Sequence, residues 1–325
     1  MTLNVKTHVV RTNGINMQVS EQGSGPVVIL LHGFPDTWYS WRHQIPALAA
    51  AGYRVIAPTQ RGYGETSRPT NVDAYDVLEC TTDVVGLVQE LGVESATVVG
   101  HDMGAPVAWH CALLRPDLFS ACGLVGQPYV ARSRKNVTPT EAMKRVVGDN
   151  QFYRLYFAEP EKPERDFEQD VRKSFLMSFY SASGAAPKEH RWRYIFNQGE
   201  TLLDTGTVPD RLPDWLTEED IAYYVNTFTK TGFTGGLNWF RCIDRGWERT
   251  AFLAGAKILQ PTLFVAGDCE PLIQFASAFY ERMQEKIPAL WGKPLIAGAG
   301  HWVHMEKPVE FNRVLLEFLA AQRRR

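Results

Sequence analysis

The chain has 325 residues, 45% hydrophobic and 22% charged, which excludes a disordered or fibrous protein and supplies enough apolar material for a large core. Its 34 basic and 36 acidic side chains leave a formal charge of -2 and are well mixed, so no field is available to recruit nucleic acid or a lipid surface. Five cysteines, Cys80, Cys111, Cys122, Cys242 and Cys269, are odd in number and lack CxxC spacing, which argues against a disulfide framework or a zinc site.

Met1-Thr2-Leu3-Asn4-Val5-Lys6 lacks the apolar stretch of a signal peptide, and no run approaches the roughly 18 apolar residues of a membrane span. The expectation is a cytoplasmic protein, with Arg323-Arg324-Arg325 as a solvated tail. Alternation at Ile15, Met17 and Val19 predicts a half-exposed strand, and the run Val27 to Leu31 predicts one buried on both faces. Short apolar runs at 54–57, 96–99 and 123–125 follow, separated by helix-like segments such as 75–91, where Val77, Leu78, Val84, Val85 and Val88 recur at helical spacing. Strands resume at 262–266 and 294–296, before a terminal helix over about Val309 to Ala321. Strands alternating with helices imply an α/β fold, with a mostly parallel sheet covered by helices on both faces.

From 130 to 250 the chain becomes aromatic-rich and helix-like, with no strand pattern and with proline clusters such as Pro160-Glu161-Lys162-Pro163. This predicts a helical cap over 130–250, inserted between two parts of one core, 1–129 and 251–325, and folded over the strand ends where such sheets hold ligands.

Gly100-His101-Asp102-Met103-Gly104 follows the predicted strand at 96–99 and opens a helix, in the pattern of an elbow whose small flanking residues expose a central nucleophile. A carboxylate there suits displacement at a saturated carbon, because attack on an acyl carbon would give only an anhydride, whereas attack on an epoxide or alkyl halide gives an ester that water can cleave. A second reading of Asp102, as the N-cap of the following helix, stands beside this one. His32-Gly33-Phe34-Pro35 follows the buried strand, at the place that donates one oxyanion N–H, with the other coming from the residue after the nucleophile. Phe34 and Met103 are therefore the expected oxyanion hole for the ester carbonyl; Pro35 is open to either peptide isomer. Chain order places the base at His301, in Gly298-Ala299-Gly300-His301-Trp302, with His304 as its nearest competitor. Asp268 and Glu270, in the loop after the 262–266 strand, are the alternatives for the acid that orients it; Cys269 between them reads as a bystander.

Together with Asp36-Thr37-Trp38-Tyr39-Ser40-Trp41-Arg42 and Arg61-Gly62-Tyr63-Gly64-Glu65-Thr66-Ser67, these motifs resemble, in order and over nearly the whole chain, the soluble epoxide hydrolases of the α/β-hydrolase superfamily. The resemblance implies Asp102 as nucleophile, His301 as base, and a cap bearing two tyrosines that hold and protonate the epoxide oxygen. It favours Glu270 over Asp268, since Glu270 stands where the family usually has its triad aspartate. It puts the first cap tyrosine at Tyr156 and the second at Phe240, which carries no hydroxyl. Met103 replaces a frequent tryptophan, leaving the backbone amide but removing an indole donor. Phe240, Trp239, Trp38 and Tyr153 are the expected substrate-binding residues. No cofactor or metal is expected, and the substrate is expected to be a small apolar or aromatic epoxide, from cap aromatics that include Phe152, Tyr153, Phe179, Tyr180, Trp192, Tyr194 and Trp239. The rival readings are a haloalkane or haloacid dehalogenase, disfavoured because Met103 offers no indole N–H to a halide, and a non-catalytic ligand-binding hydrolase-fold protein.

Overall fold

The computed structural model describes residues 5–323. Met1 to Asn4, and Arg324 and Arg325 of the arginine tail, lie outside the described residues. The strands are β1 (Lys6–Thr12), β2 (Ile15–Gln22), β3 (Val27–Leu31), β4 (Arg54–Pro58), β5 (Ala96–His101), β6 (Phe119–Val125), β7 (Gln151–Phe152), β8 (Ile195–Phe196), β9 (Thr262–Gly267), β10 (Leu290–Gly292) and β11 (Leu295–Ile296). Nine of them form one sheet in the order β1-β2-β4-β3-β5-β6-β9-β10, with β11 also on β9. Within this sheet, among the described residues, only β1 with β2 and β2 with β4 run antiparallel. Asn13 and Gly14, both at positive φ (43° and 75°), make the two-residue turn between β1 and β2, the geometry that matches strand twist. β1 escapes the sequence pattern because its first residues are exposed and little beyond Val10 and Thr12 turns inward.

The period-two alternation of buried strands sorts their side chains to two faces. Ile29, Leu31, Val98, Leu124 and Phe264 pack on one side with helices α2 (Val77–Glu90) and α3 (Gly104–Leu114). Val28, Leu30, Val99, Val125 and Val265 pack on the other, against helix α1 (Gln44–Ala50) and the terminal helix Pro308–Arg323. Each such aliphatic side chain stabilises the fold by about 1.5–3 kcal/mol relative to exposure. β6 starts four residues before the predicted run because Phe119, Ala121 and Cys122 are buried as well.

Between β6 and β9 the described chain adds no strand to this sheet. It is helical, with one departure from expectation: β7 and β8 pair antiparallel through Gln151 with Phe196 and Phe152 with Ile195. Two-residue strands are too short to leave an alternating pattern in sequence. The block is latched to the core by polar contacts. Arg42 pairs with Asp220 at 2.9 Å, and the Tyr224 hydroxyl donates to Asp36 at 2.9 Å. Trp239 donates its indole N–H to the Arg61 carbonyl at 3.1 Å, while the Arg61 guanidinium is paired with Asp83 of α2. Gly235 presses so closely on Gly62 that a Cβ would lie 2.1 Å from the Gly62 carbonyl oxygen. Among the described residues, no helix is long and apolar enough to cross a membrane.

Candidate active site

At the end of β5 the chain turns sharply into α3, with Asp102 at φ 48°, a region that non-glycine residues rarely occupy. The turn closes only because its neighbours lack side chains: a Cβ on Gly100 would lie 2.1 Å from the Gly104 carbonyl oxygen, and one on Gly104 would lie 2.5 Å from the carbonyl oxygens of Leu31 and His32. The side chain of Asp102 does not cap α3, whose N-cap residue is Met103 without a side-chain bond. Asp102 Oδ1 instead accepts the Phe34 backbone N–H at 3.0 Å. Phe34 stands in the loop after β3, and its peptide bond to Pro35 is cis. Met103 places its amide at the start of α3, where N–H groups have no intrahelical partner and the helix end is positive.

His301 lies opposite. Its Nε2 is 3.8 Å from Asp102 Oδ2, and its Nδ1 is 2.8 Å from Glu270 Oε2. Glu270 is buried at the N-terminus of the Pro271–Phe275 helix, and its other oxygen accepts the Leu272 N–H at 3.0 Å, so both oxygens are fixed. Asp268 is exposed and accepts the Gly298 N–H at 2.9 Å, which braces the loop carrying His301 without touching the imidazole. Burial works against protonation of His301, but the charge and hydrogen bond of Glu270, then Asp102 and Glu306, outweigh it and lift its pKa to about 9. His304 is buried over Trp41, with ring centroids 4.4 Å apart, and burial holds it well below the usual histidine range, in the neutral form. Cys269 accepts a hydrogen bond from Arg191 at 3.2 Å, and burial, then Asp268, push its thiol up.

Asp102, His301, Phe34 and Pro35 form the floor of a cavity of about 20 Å³. Its roof comes from the inserted block: Tyr153, Phe157, Trp192, Tyr194 and Phe240. Phe240 and Tyr153 thus line the same cavity as Asp102 and His301. Tyr156 does not. One turn along the Tyr153–Ala158 helix, it is rotated and raised away from the cavity, packs on Phe196 and gives its hydroxyl to Asp166, which also accepts the Leu202 N–H at 2.8 Å. Trp239, a neighbour of Phe240 on one helix, points about 100° away, toward Tyr63 and Arg61. Trp38 packs against Tyr39 and Tyr223, outside the cavity lining.

Tyr194, Trp192 and Phe157 carry no motif in the sequence. Their only signal is the aromatic richness of the segment, with Trp192 and Tyr194 two residues apart just before β8 and their rings 5.0 Å apart. Among the described residues one group of possible metal ligands converges, Asp36, His101 and His304, with ligand atoms within 4.8 Å of one another. The positive field of Arg42 acts on both Asp36 and His304, which opposes a cation there.

The alpha/beta hydrolase fold family matches residues 26–308. The chain is 43% identical to Epoxide hydrolase A of Mycobacterium tuberculosis over 313 residues, 96% of each protein, and 39% identical to Epoxide hydrolase 3 of Siraitia grosvenorii, covering 95% of this chain and 96% of that one. Among solved structures, an epoxide hydrolase from an endophytic Streptomyces superposes with a TM-score of 0.95 at 41% identity, covering 98% of this chain and 96% of the other. Epoxide Hydrolase A from Mycobacterium thermoresistibile superposes with a TM-score of 0.91 at 43% identity, covering 98% of each.

Proposed function

Given that the chain belongs to the α/β-hydrolase family and is an epoxide hydrolase, we propose that it opens its epoxide through a covalent ester on Asp102, with Tyr153 rather than Tyr156 giving the proton. The observation that carries this is the division of the Asp102 carboxylate. Oδ1 is held by the Phe34 amide, while Oδ2 faces His301 and is the oxygen left to attack. Its bond to carbon forms as the ring C–O bond breaks, and the departing oxygen takes both that electron pair and the phenolic proton of Tyr153 across the same cavity.

The ester leaves Oδ1 as a carbonyl oxygen already beside the Phe34 N–H. Water then attacks Cγ, charge develops on Oδ1, and the Phe34 and Met103 amides stabilise it. The pKa of His301 supports this order. While Asp102 is ionised, its charge helps keep the imidazole protonated; in the ester that charge is gone, the pKa falls, and His301 can take the proton of water. Glu270 stabilises the imidazolium that results, which then returns the proton to the departing diol oxygen. The ester product would be common to a dehalogenase, but a phenol lining the same cavity as Asp102 suits an oxygen that must gain a proton. The aromatic roof favours an apolar or aromatic epoxide, bound by ring contacts rather than charge.

The test is the intact mass of the His301→Gln variant after exposure to styrene oxide, expected to rise by one substrate and to localise on the peptide containing Asp102. Normal turnover without any adduct would exclude the role given to His301, and lost turnover without any adduct would count against the ester.

A further inference from the structure

Arg154 poses an electrostatic problem. It is a partly buried cation whose partners among the described residues are a phenol and an amide oxygen: Nε donates to the Tyr153 hydroxyl at 2.9 Å, and an Nη donates to Gln127 Oε1 at 3.2 Å. Consecutive residues on a helix do not ordinarily face each other. Here the long side chain folds back over its neighbour, with the guanidinium carbon 5.6 Å from the Tyr153 ring centroid, and is anchored on Gln127, which follows β6 in the core. Desolvating a cation costs free energy, and Asp102 and Glu270 act on this one only through space, without a hydrogen bond, so an anion forming on the bonded phenol would be its nearest partner.

The phenol supplies one. A guanidinium has donors only, so in this bond the Tyr153 oxygen must accept, and its own proton is left to point elsewhere. We propose that Arg154 is the counter-ion for the phenolate that forms on Tyr153 when the epoxide opens, a positioning residue that compensates for the hydroxyl missing at Phe240. The inference rests on the reading above, in which Asp102 attacks and Tyr153 gives up its proton.

Charge closes around the step. Before it, the negative charge is on Asp102, facing the Phe34 amide and His301; after it, Asp102 is a neutral ester and the charge sits on Tyr153, beside Arg154. The imidazolium proton of His301, released from the field of Asp102, then restores the phenol through water and leaves a neutral base for hydrolysis. Burial raises the Tyr153 pKa to about 12, and Asp102 and Glu270 add to the rise; Arg154 opposes it by charge and hydrogen bond. Removing the cation therefore makes the proton harder to give.

Single-turnover measurement of ester formation and ester hydrolysis on the full chain, with styrene oxide, tests this in Arg154→Gln, Arg154→Lys, Tyr153→Phe and the double variant Arg154→Gln/Tyr153→Phe. A charge-assisted hydrogen bond to the donor, one step removed from the reacting oxygen, predicts that Arg154→Gln slows ester formation about 10- to 100-fold. Hydrolysis should change little, Arg154→Lys should recover most of the rate, and in the Tyr153→Phe background Arg154→Gln should cost nothing more. Gln127→Ala, which keeps the charge but frees the guanidinium, should give a smaller loss in the same step and serves if Arg154→Gln does not fold. An unchanged rate of ester formation in the Arg154 and Gln127 variants, or an equal loss in the Tyr153→Phe background, overturns the proposal. A full rate in Tyr153→Phe alone would instead overturn the reading on which it rests.

Discussion

Glu270→Gln separates the orientation of His301 from its charge. The amide oxygen of glutamine can still accept the Nδ1 proton at the 2.8 Å observed, so the ring keeps its main anchor while the carboxylate charge, and the bond the second oxygen accepts from the Leu272 N–H, are lost. In the wild type, Glu270 is the largest influence raising the His301 pKa, enough with Asp102 and Glu306 to bring it from 6.5 to about 9 against burial. That net rise corresponds to about 3 kcal/mol, and charges about 4 Å apart at an effective dielectric of about 20 interact by about 4 kcal/mol. Asp102 is neutral in the ester, so the stabilisation of the imidazolium formed during hydrolysis falls mainly to Glu270. Losing it should slow hydrolysis by on the order of 10²–10³, at 1.4 kcal/mol per factor of ten. Ester formation, which needs no base, should change much less. Rapid mixing with excess epoxide should then show a burst of ester formation followed by slow turnover, with ester accumulating on the enzyme. Asp268→Asn keeps the oxygen that accepts the Gly298 N–H and should remain within about threefold of the wild type, as expected for an exposed group away from the imidazole. A hydrolysis rate in Glu270→Gln within threefold of the wild type, or a larger loss in Asp268→Asn, would refute the assignment.

Tyr153→Phe should slow ester formation by about 10²–10³, the usual cost of a donor aimed at developing charge. Tyr156→Phe should leave that step nearly intact and lower stability by about 1 kcal/mol or more, because Asp166 loses a buried donor; the reverse ranking in single-turnover and denaturation measurements would restore Tyr156. Phe240→Tyr adds a phenol inside the cavity and should raise the rate of ester formation, most clearly in the Arg154→Gln background; slower formation in both would assign Phe240 to substrate fit. Burial raises the Asp36 carboxyl from 3.8 to about 7, so the stability it contributes is fully present below pH 3.8 and is lost as pH rises through about 7. Asp36→Asn removes this dependence, and denaturant titrations should show the variant gaining on the wild type by about 3 kcal/mol between pH 5 and pH 8; a difference independent of pH would mean that Asp36 does not titrate there.

What the sequence determined by itself was whatever depends on near neighbours in the chain. The alternation of apolar strands with helices prescribes a parallel sheet, because such strands can be buried on both faces only under two layers of helices. The elbow around Asp102 is legible for a similar reason: Gly100 and Gly104 are required by backbone contacts within the turn and with β3, so the exposed residue between them follows from spacing. His301 follows from its position between the last strand and the final helix.

Residues chosen by docking were not legible in that way. Tyr153 and Tyr156 share one short helix, and only the way that helix packs within the inserted block decides which ring lines the cavity with Asp102 and which hydroxyl is used up on Asp166. Tyr194 reaches the cavity through the pairing of β7 with β8, a contact across more than forty residues that leaves no periodicity. Asp268 and Glu270 were equivalent by spacing alone, with only the family resemblance favouring Glu270, until the Pro271–Phe275 helix fixed Glu270 toward His301 and the Gly298 loop took Asp268. Arg154 carries no signal in the sequence; only the end of β6, which puts Gln127 within its reach, turns its charge toward Tyr153. In each case the chain supplied the chemical group, and the packing of distant segments decided which way it points.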